Sequence, residues 1–541
     1  MSEQEFNQQL EWATVNEQHL TATLQWLRLK LQQCTPAQGQ AEPPQQEVTD
    51  EPPSGWFKRK SSNSQTSAKQ LPPPNLSDDE EIEQAAQLMA EIEQNEPPPA
   101  LLILAQRLAL SRFEQQLLAL CVAMALDTRF ARLCALAQDD INKPYPTFAL
   151  AFALFDDPDW SALSPHAPLR HWRLLEINQP GVQPLTSAAL GADERIVNYL
   201  KGLNYLDDRL TPLLDPLQSD GYSGETLPRS QQQVVDKMLE YLRASSGHDS
   251  VPVIELLGHD TASKRLIAGQ VASALGLSLQ TMNVNMLPAQ MGDFETFTRL
   301  WQRESLLMPL ALYIQLDSAT DAEKAQLKRF LERSNGVVFV DLDDSKTETV
   351  RNRLSVEINK PTPEEQEQIW RDALQGQASE QPQRLAEQFS FSQSEIKRLA
   401  KATVATLSRN ETEPSPLMDR ALWHACRIAA RAGMEQLAQR IDIKADWEQL
   451  VLPPEQTTLL HQITDQVAQR SRVYEEWGFR EQMNRGLGIN ALFAGESGTG
   501  KTMAAEVIAN ALALDLYRID LSSVVSKYIG ETEKNLRKLF D

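Results

Sequence analysis

Apolar and polar positions change rhythm three times along the chain. Over residues 1–34 the leucines Leu20, Leu24, Leu27 and Leu31 recur at three- and four-residue spacing, which predicts a helical segment with one apolar stripe, either a docking segment or a weakly stable appendage. The pattern then stops. Residues 35–76 (TPAQGQAEPPQQEVTDEPPS, then SSNSQTSAKQLPPP) are rich in Pro, Gln and Ser and hold too little apolar surface to fold, so a disordered linker is expected there. Order resumes at SDDEEIEQAAQLMAEIEQ (77–94), where Ser77 and Glu80 have capping-box spacing. Helical patterns dominate from there to 215. PTFALAFALF (146–155) and HWRLLEIN (171–178) are read as strands. Several helices with one or two strands predict a mostly helical, winged-helix-like domain over 77–215.

From about 222 the rhythm becomes strand–helix alternation. VPVIELL (251–257), LSLQTMNV (277–284), LALYIQLD (310–317) and GVVFVDLD (336–343) read as buried strands with helical stretches between them. That order predicts an α/β unit with a parallel sheet flanked by helices. From about 361 to 440 the chain turns helical again, with a second capping box at Ser392–Glu395, and reads as a helical lid on that unit. Residues 441–541 begin another α/β pattern.

Charge narrows the functional classes. The chain of 541 residues has a formal charge of −22 and a pI near 4.9. That balance argues against a broad nucleic-acid or anionic-membrane surface, and no helix over 77–215 carries a basic stripe, so neither is an expected partner. The N-terminus (MSEQEFNQQLEW) is acidic and polar, unlike a signal peptide, and the longest apolar run, residues 117–126, is too short to span a bilayer. A cytoplasmic protein is expected. The four cysteines, Cys34, Cys121, Cys134 and Cys426, show no metal-ligand spacing and read as buried or incidental thiols.

The sharpest signal lies at 494–512, AGESGTGKTMAAEVIANAL. Gly495-Glu496-Ser497-Gly498-Thr499-Gly500-Lys501-Thr502 fits GxxxxGK[ST], the Walker A pattern, and Met503 follows it. The reading predicts a strand before it (INALFA, 489–494) and a helix after it (502–513), as the chemistry requires. Glycines let backbone N–H groups curl around phosphate, and the helix N-terminus adds a positive dipole end. Lys501 is assigned to the β- and γ-phosphates of ATP and the Thr502 hydroxyl to Mg²⁺.

This stretch has an earlier copy. A shift of 237 residues lays VIELLGHDTASKRLIAGQVASALGLSLQTMNV over it without a gap, with Gly258 on Gly495, Lys264 on Lys501, Ala272 on Ala509 and Leu279 on Leu516. The first copy has lost parts. Ser263 stands where Gly500 sits, and Arg265 replaces the Mg²⁺ ligand. Asp317 ends a strand as a Walker B acid would, but Ser318 follows it in place of a water-activating Glu. A degenerate site comprising Gly258, Lys264 and Asp317, without hydrolysis, is expected. Asp317 lies 53 residues after Lys264, and the same spacing from Lys501 reaches position 554, beyond Asp541. The Walker B acids of the second copy are thus expected past the residues given. The chain reads as an N-terminal portion, inactive alone, with no catalytic residue of its own.

GESGTGKT, together with SKYIGETEKNLRKLFD (526–541), resembles the AAA+ superfamily of P-loop ATPases, close to its protein-remodelling branch. The resemblance implies that Lys527, Tyr528, Ile529 and Gly530 form a pore loop whose aromatic ring grips an extended protein substrate. It also implies self-assembly into a ring, expected to be a hexamer, that remodels or assembles proteins with ATP and Mg²⁺. More narrowly, 446–502 resembles a bacterial AAA+ group with an N-terminal winged-helix-like domain, a degenerate first ATPase unit and an intact second Walker A. Some members of that group accompany contractile injection systems. In the family the segment before the first strand, here around Leu450 and Val451, contacts adenine. The alternative reading is a non-hydrolysing ATP-binding scaffold.

Overall fold

The computed structural model describes residues 3–34, 78–217, 226–244, 251–316, 319–343, 352–374, 381–407, 415–431, 438–470, 473, 477–479 and 488–519. Ser77 of the first expected capping box, Asp317, Ser318 and the stretch 527–530 lie outside them. The chain divides into two compact units. The first is Met1–Ser223, Tyr241–Leu256 and Ala268–Ser355; the second is Gly224–Glu240, Leu257–Ile267 and Val356–Asp541.

The first unit opens with helices α1 (Glu3–Gln33), α2 (Asp78–Ile92), α3 (Ala100–Leu108), α4 (Arg112–Leu126) and α5 (Arg129–Ala137). The leucine stripe of α1 does not stand apart. Trp26, Leu27 and Leu31 are buried in one core with Leu104, Phe113, Leu117 and Phe155 of the following helices. Burial of that stripe is what holds α1, since helix propensity alone sustains little in water.

The strand reading of 146–155 is overturned: Phe148–Leu154 forms helix α6. The Thr147 hydroxyl accepts a hydrogen bond from the Leu150 N–H at 3.0 Å, an N-cap that alternation counting overlooks. Phe148, Ala151 and Leu154 then face the helical core, a three-residue spacing that only a helix delivers to one side. After the short helix α7 (Pro168–His171), the reading of 171–178 holds over its last four residues. Strand β1 (Leu175–Asn178) pairs antiparallel with β2 (Ala189–Ala192), making a small wing before α8 (Glu194–Leu200).

A six-stranded sheet follows. Its strands are β3 (Asp215–Pro216) and, after helix α9 (Arg229–Ala244), β4 (Val253–Leu257). Helix α10 (Thr261–Ala274) leads to β5 (Ser278–Asn283), α11 (Met291–Leu307) to β6 (Leu310–Gln315), and α12 (Asp321–Arg333) to β7 (Val337–Leu342) and β8 (Arg353–Glu357). The order across the sheet is β3-β5-β6-β7-β4-β8. Strands β5, β6 and β7 are parallel, and β3 closes the edge antiparallel to β5. Near-continuous burial of β4, β6 and β7 is what a sheet covered on both faces demands. The chain leaves β4 for the far side of β6 and β7, and such a change of direction is where α/β sheets present their binding loops.

A buried ion cluster ties α11 to the stretch after β2. Arg303 is fully buried and meets Asp207, Asp193 at 3.4 Å and Glu304 at 3.1 Å. Arg195 reaches Glu304 at 3.1 Å, and Arg209 reaches Asp193 at 2.7 Å and Asp207 at 2.6 Å. Burial opposes the Asp207 charge, yet hydrogen bonds from Arg209 and the field of Arg303 bring its pKa down to about 2.

The second unit holds the expected helical lid, α13 (Pro363–Leu374), α14 (Gln381–Gln388), α15 (Gln393–Leu407) and α16 (Ser415–Ala430), around Trp370, Leu385, Ile396 and Leu422. The Ser392–Glu395 capping box is present, with the Ser392 N–H donating to Glu395 at 3.0 Å and the Glu395 N–H to the Ser392 hydroxyl at 3.4 Å. Strand β9 (Gln439–Ile441), helices α17 (Pro454–Ala468) and α18 (Lys501–Ala511), and strand β10 (Leu516–Arg518) complete the described chain.

Candidate nucleotide site

The loop 495–500 is shaped by its glycines. Gly498 and Gly500 both sit at φ 85°, in the left-handed region that costs an L-residue strain, and Gly500 is the residue from which α18 springs. Gly495 lies under Thr499, whose hydroxyl would stand 3.2 Å from a Cβ added there. The Thr499 hydroxyl also donates to the Glu496 carbonyl at 2.9 Å, pinning the turn. Lys501 folds back along the loop, its Nζ donating to the Gly495 carbonyl at 2.9 Å and the Glu496 carbonyl at 2.6 Å. Thr502 is exposed and Met503 half-buried in the first turn of α18, while Ala504 and Val507 anchor the helix.

Left-handed glycines ahead of a helix N-terminus form a concave, anion-binding backbone. The amine of Lys501 and the hydroxyl of Thr502 are the side chains such a loop offers to phosphate and to a phosphate-bound divalent cation. The residues present therefore fit ATP and Mg²⁺. Ser497 is exposed on the loop. The expected strand at 489–494 is not formed among the described residues, and Leu492 is 93% exposed. Its counterpart β4 lies between β7 and β8, and no described strand flanks 489–494 in that way. The expected helix is α18.

The far end of α18 is held by the lid. Arg431 donates to Asp515 at 2.7 and 3.0 Å, and the Trp423 indole N–H to the Ala513 carbonyl at 3.1 Å. Strand β10 pairs antiparallel with β9. Sequence reading missed these residues, because nothing local in Trp423 or Arg431 marks a partner more than eighty positions away.

The first copy has the same plan with its loop closed. Thr261 and Ser263, in the places of Gly498 and Gly500, are helical, so α10 begins three residues earlier than α18 and consumes the phosphate loop. Asp260 accepts from the Ser263 N–H at 3.3 Å, and the Gln231 amide donates to the Ser263 hydroxyl at 3.0 Å and the Asn359 carbonyl at 3.0 Å. Gly258 (φ 126°) touches the strand exit so closely that a Cβ there would lie 2.4 Å from the Ile358 carbonyl oxygen. Lys264 is fully buried and donates to the Gly258 carbonyl, the same contact that Lys501 makes with Gly495. Arg265 is half-buried. The counterpart of Tyr528, Met291, is exposed in the first turn of α11, with Gly292 and Asp293 helical after it.

Comparison with known families agrees with this layout. A winged helix domain variant matches residues 13–214, a contractile injection system ATPase helical domain matches 362–432, and the family of ATPases associated with various cellular activities matches 491–541. Over residues 491–541 the chain thus matches the AAA family of ATPases. An uncharacterized AAA family ATPase of Sinorhizobium fredii, y4kL, is 48% identical over 50 residues, covering 9% of this chain and 15% of the relative. The ATPase family gene 2 protein of Schizosaccharomyces pombe is 48% identical over 50 residues, covering 9% and 6%. The peroxisomal ATPase PEX6 of Yarrowia lipolytica is 37% identical over 67 residues, covering 12% and 6%. The chain therefore spans only a small part of the length of these curated relatives. Among the described residues no helix is long and apolar enough to cross a membrane.

Proposed function

We propose that this AAA+ chain binds ATP with Mg²⁺ at Gly495–Met503 and serves a cytoplasmic ring, a hexamer, that remodels or assembles proteins. The observation that carries the reading is the contrast between two copies of one loop: left-handed glycines and an accessible Lys501 in one, an extended helix and a buried Lys264 in the other. In the second copy the backbone N–H groups and Lys501 hold the phosphates, and Thr502 holds the cation that ATP brings. Bound Mg²⁺ would neutralise the phosphate charge that develops during transfer. Hydrolysis further needs an acid pair that holds the cation and activates water. The first copy then serves as a nucleotide-independent support. Tyr528, with Lys527, Ile529 and Gly530, is assigned to gripping the protein substrate, with neither nucleic acid nor a membrane as partner.

The test is nucleotide binding to the chain, followed by fluorescence of a labelled ATP. Wild type should bind with Mg²⁺ and Lys501→Ala should lose binding; equal affinity in both sinks the assignment. A non-hydrolysing scaffold is the second reading, favoured by the closed first loop. Hydrolysis stimulated by a protein substrate, in a protein that includes the acids, separates the two.

A further inference from the structure

The repeat extends further toward the N-terminus than the loop. Leu227-Pro228-Arg229-Ser230-Gln231 recurs as Leu452-Pro453-Pro454-Glu455-Gln456, an L-P-x-x-Q pattern 225 residues on. In both places it opens a helix, α9 or α17. Each helix is preceded by a short strand that pairs antiparallel with the strand after the loop helix. In the first copy Asp215 faces Thr281 and Pro216 faces Gln280; in the second Gln439 faces Arg518 and Arg440 faces Tyr517. Moving the first strand by 224 and its partner by 237 turns one register into the other. The two segments are thus one supersecondary unit repeated, with an insertion between helix and loop.

The first copy shows where the glutamine of this motif goes. Gln231 is 2% exposed, and its amide lies 3.0 Å from the hydroxyl of Ser263, the residue in the place of Gly500. In the second copy Gly500 has no side chain to receive that amide, and a Cβ added there would meet nothing within 4 Å. Gln456 is exposed and its side chain makes no hydrogen bond among the described residues.

We propose that Gln456 is a nucleotide-binding residue of the second copy, its carboxamide N–H donating to a phosphate oxygen held over Gly500, where Ser263 fills the corresponding space in the first copy. The proposal rests on reading Gly495–Thr502 as a nucleotide loop. A neutral donor on a helix start adds a directional contact to the charge supplied by Lys501.

The experiment measures ADP and ATP affinity, with Mg²⁺, for wild type, Lys501→Ala, Gln456→Ala and Gln456→Glu. Position 456 is exposed, so the variants keep the fold. Gln456→Ala should bind about tenfold more weakly, the loss of one hydrogen bond to a charged acceptor. Gln456→Glu, which puts a carboxylate against phosphate, should bind more weakly still. Wild-type affinity in Gln456→Ala, or in Gln456→Glu, overturns the proposal while leaving the loop intact. Failure of wild type itself to bind overturns the loop reading instead.

Discussion

Lys264 and Lys501 occupy the same place in two copies of one motif and have different tasks. Lys501 stands at an exposed loop, where on the proposed reading it exchanges loop carbonyls for phosphate. Lys264 is fully buried, and its amine is bonded to the Gly258 carbonyl. Lys264→Ala should therefore leave nucleotide affinity unchanged and lower stability by about 1–3 kcal/mol, the cost of a buried carbonyl left without its donor. Denaturant unfolding checks the second half. An unchanged midpoint would mean that the buried contact contributes nothing. At Tyr528, which only the resemblance assigns, Tyr528→Ala in a protein able to hydrolyse ATP should keep ATP binding and lose substrate processing. Processing at the wild-type rate would remove the ring from that role.

At the scale of elements, three residues of helix separate an open loop from a closed one. Glycine at 498 and 500 delays α18 until Lys501, whereas Thr261 and Ser263 let α10 begin early and consume the loop. Restoring Gly at both 261 and 263 should cost only about 0.3–0.5 kcal/mol per site in helix propensity, because Thr and Ser are themselves poor helix formers. It should not create a nucleotide site, because Ile358 still lies against Gly258 and Lys264 stays buried. Titration of a Lys501→Ala background with labelled ATP reads this directly, and recovered binding would show that the helix alone closes the loop. The strand expected at 146–155 and found as α6 carries the complementary lesson. Its alternating apolar residues fit either period, and the Thr147 cap and a helical core decided between them.

At the scale of the whole molecule, the first unit joins a helical, wing-bearing module to a parallel sheet through buried charge. Asp207 has a folded pKa near 2, below the ordinary carboxylate value of roughly 4. A lowered pKa means that its contribution is present above about pH 4 and is lost as pH falls toward 2. Glu304, pushed up by burial against the pull of Arg303 and Arg195, works in the opposite sense as it protonates. Asp207→Asn leaves Arg303 buried without its closest partner and should destabilise the unit by about 3–5 kcal/mol at neutral pH. The difference from wild type should shrink below pH 4 in thermal melts. A constant difference across that range would show that the charge of Asp207 is not what matters.

The sequence by itself determined what depends on short-range chemistry. Glycine spacing with Lys501 and Thr502 marks the loop, alternation of buried strands and helices marks the sheet, and lost glycines mark the decayed copy. Each follows from the backbone freedom or side-chain chemistry of residues close in the chain. Tertiary structure decided what depends on distant neighbours. Leu27 and Leu31 find their core in helices beyond residue 78, and Arg303 finds Asp207 across the wing module. Ile358, just past β8 and a hundred residues on, closes the Gly258 loop, and Trp423 and Arg431 hold the end of α18. Burial and pairing are settled by which surfaces meet, and local patterns in the chain state only that a surface exists.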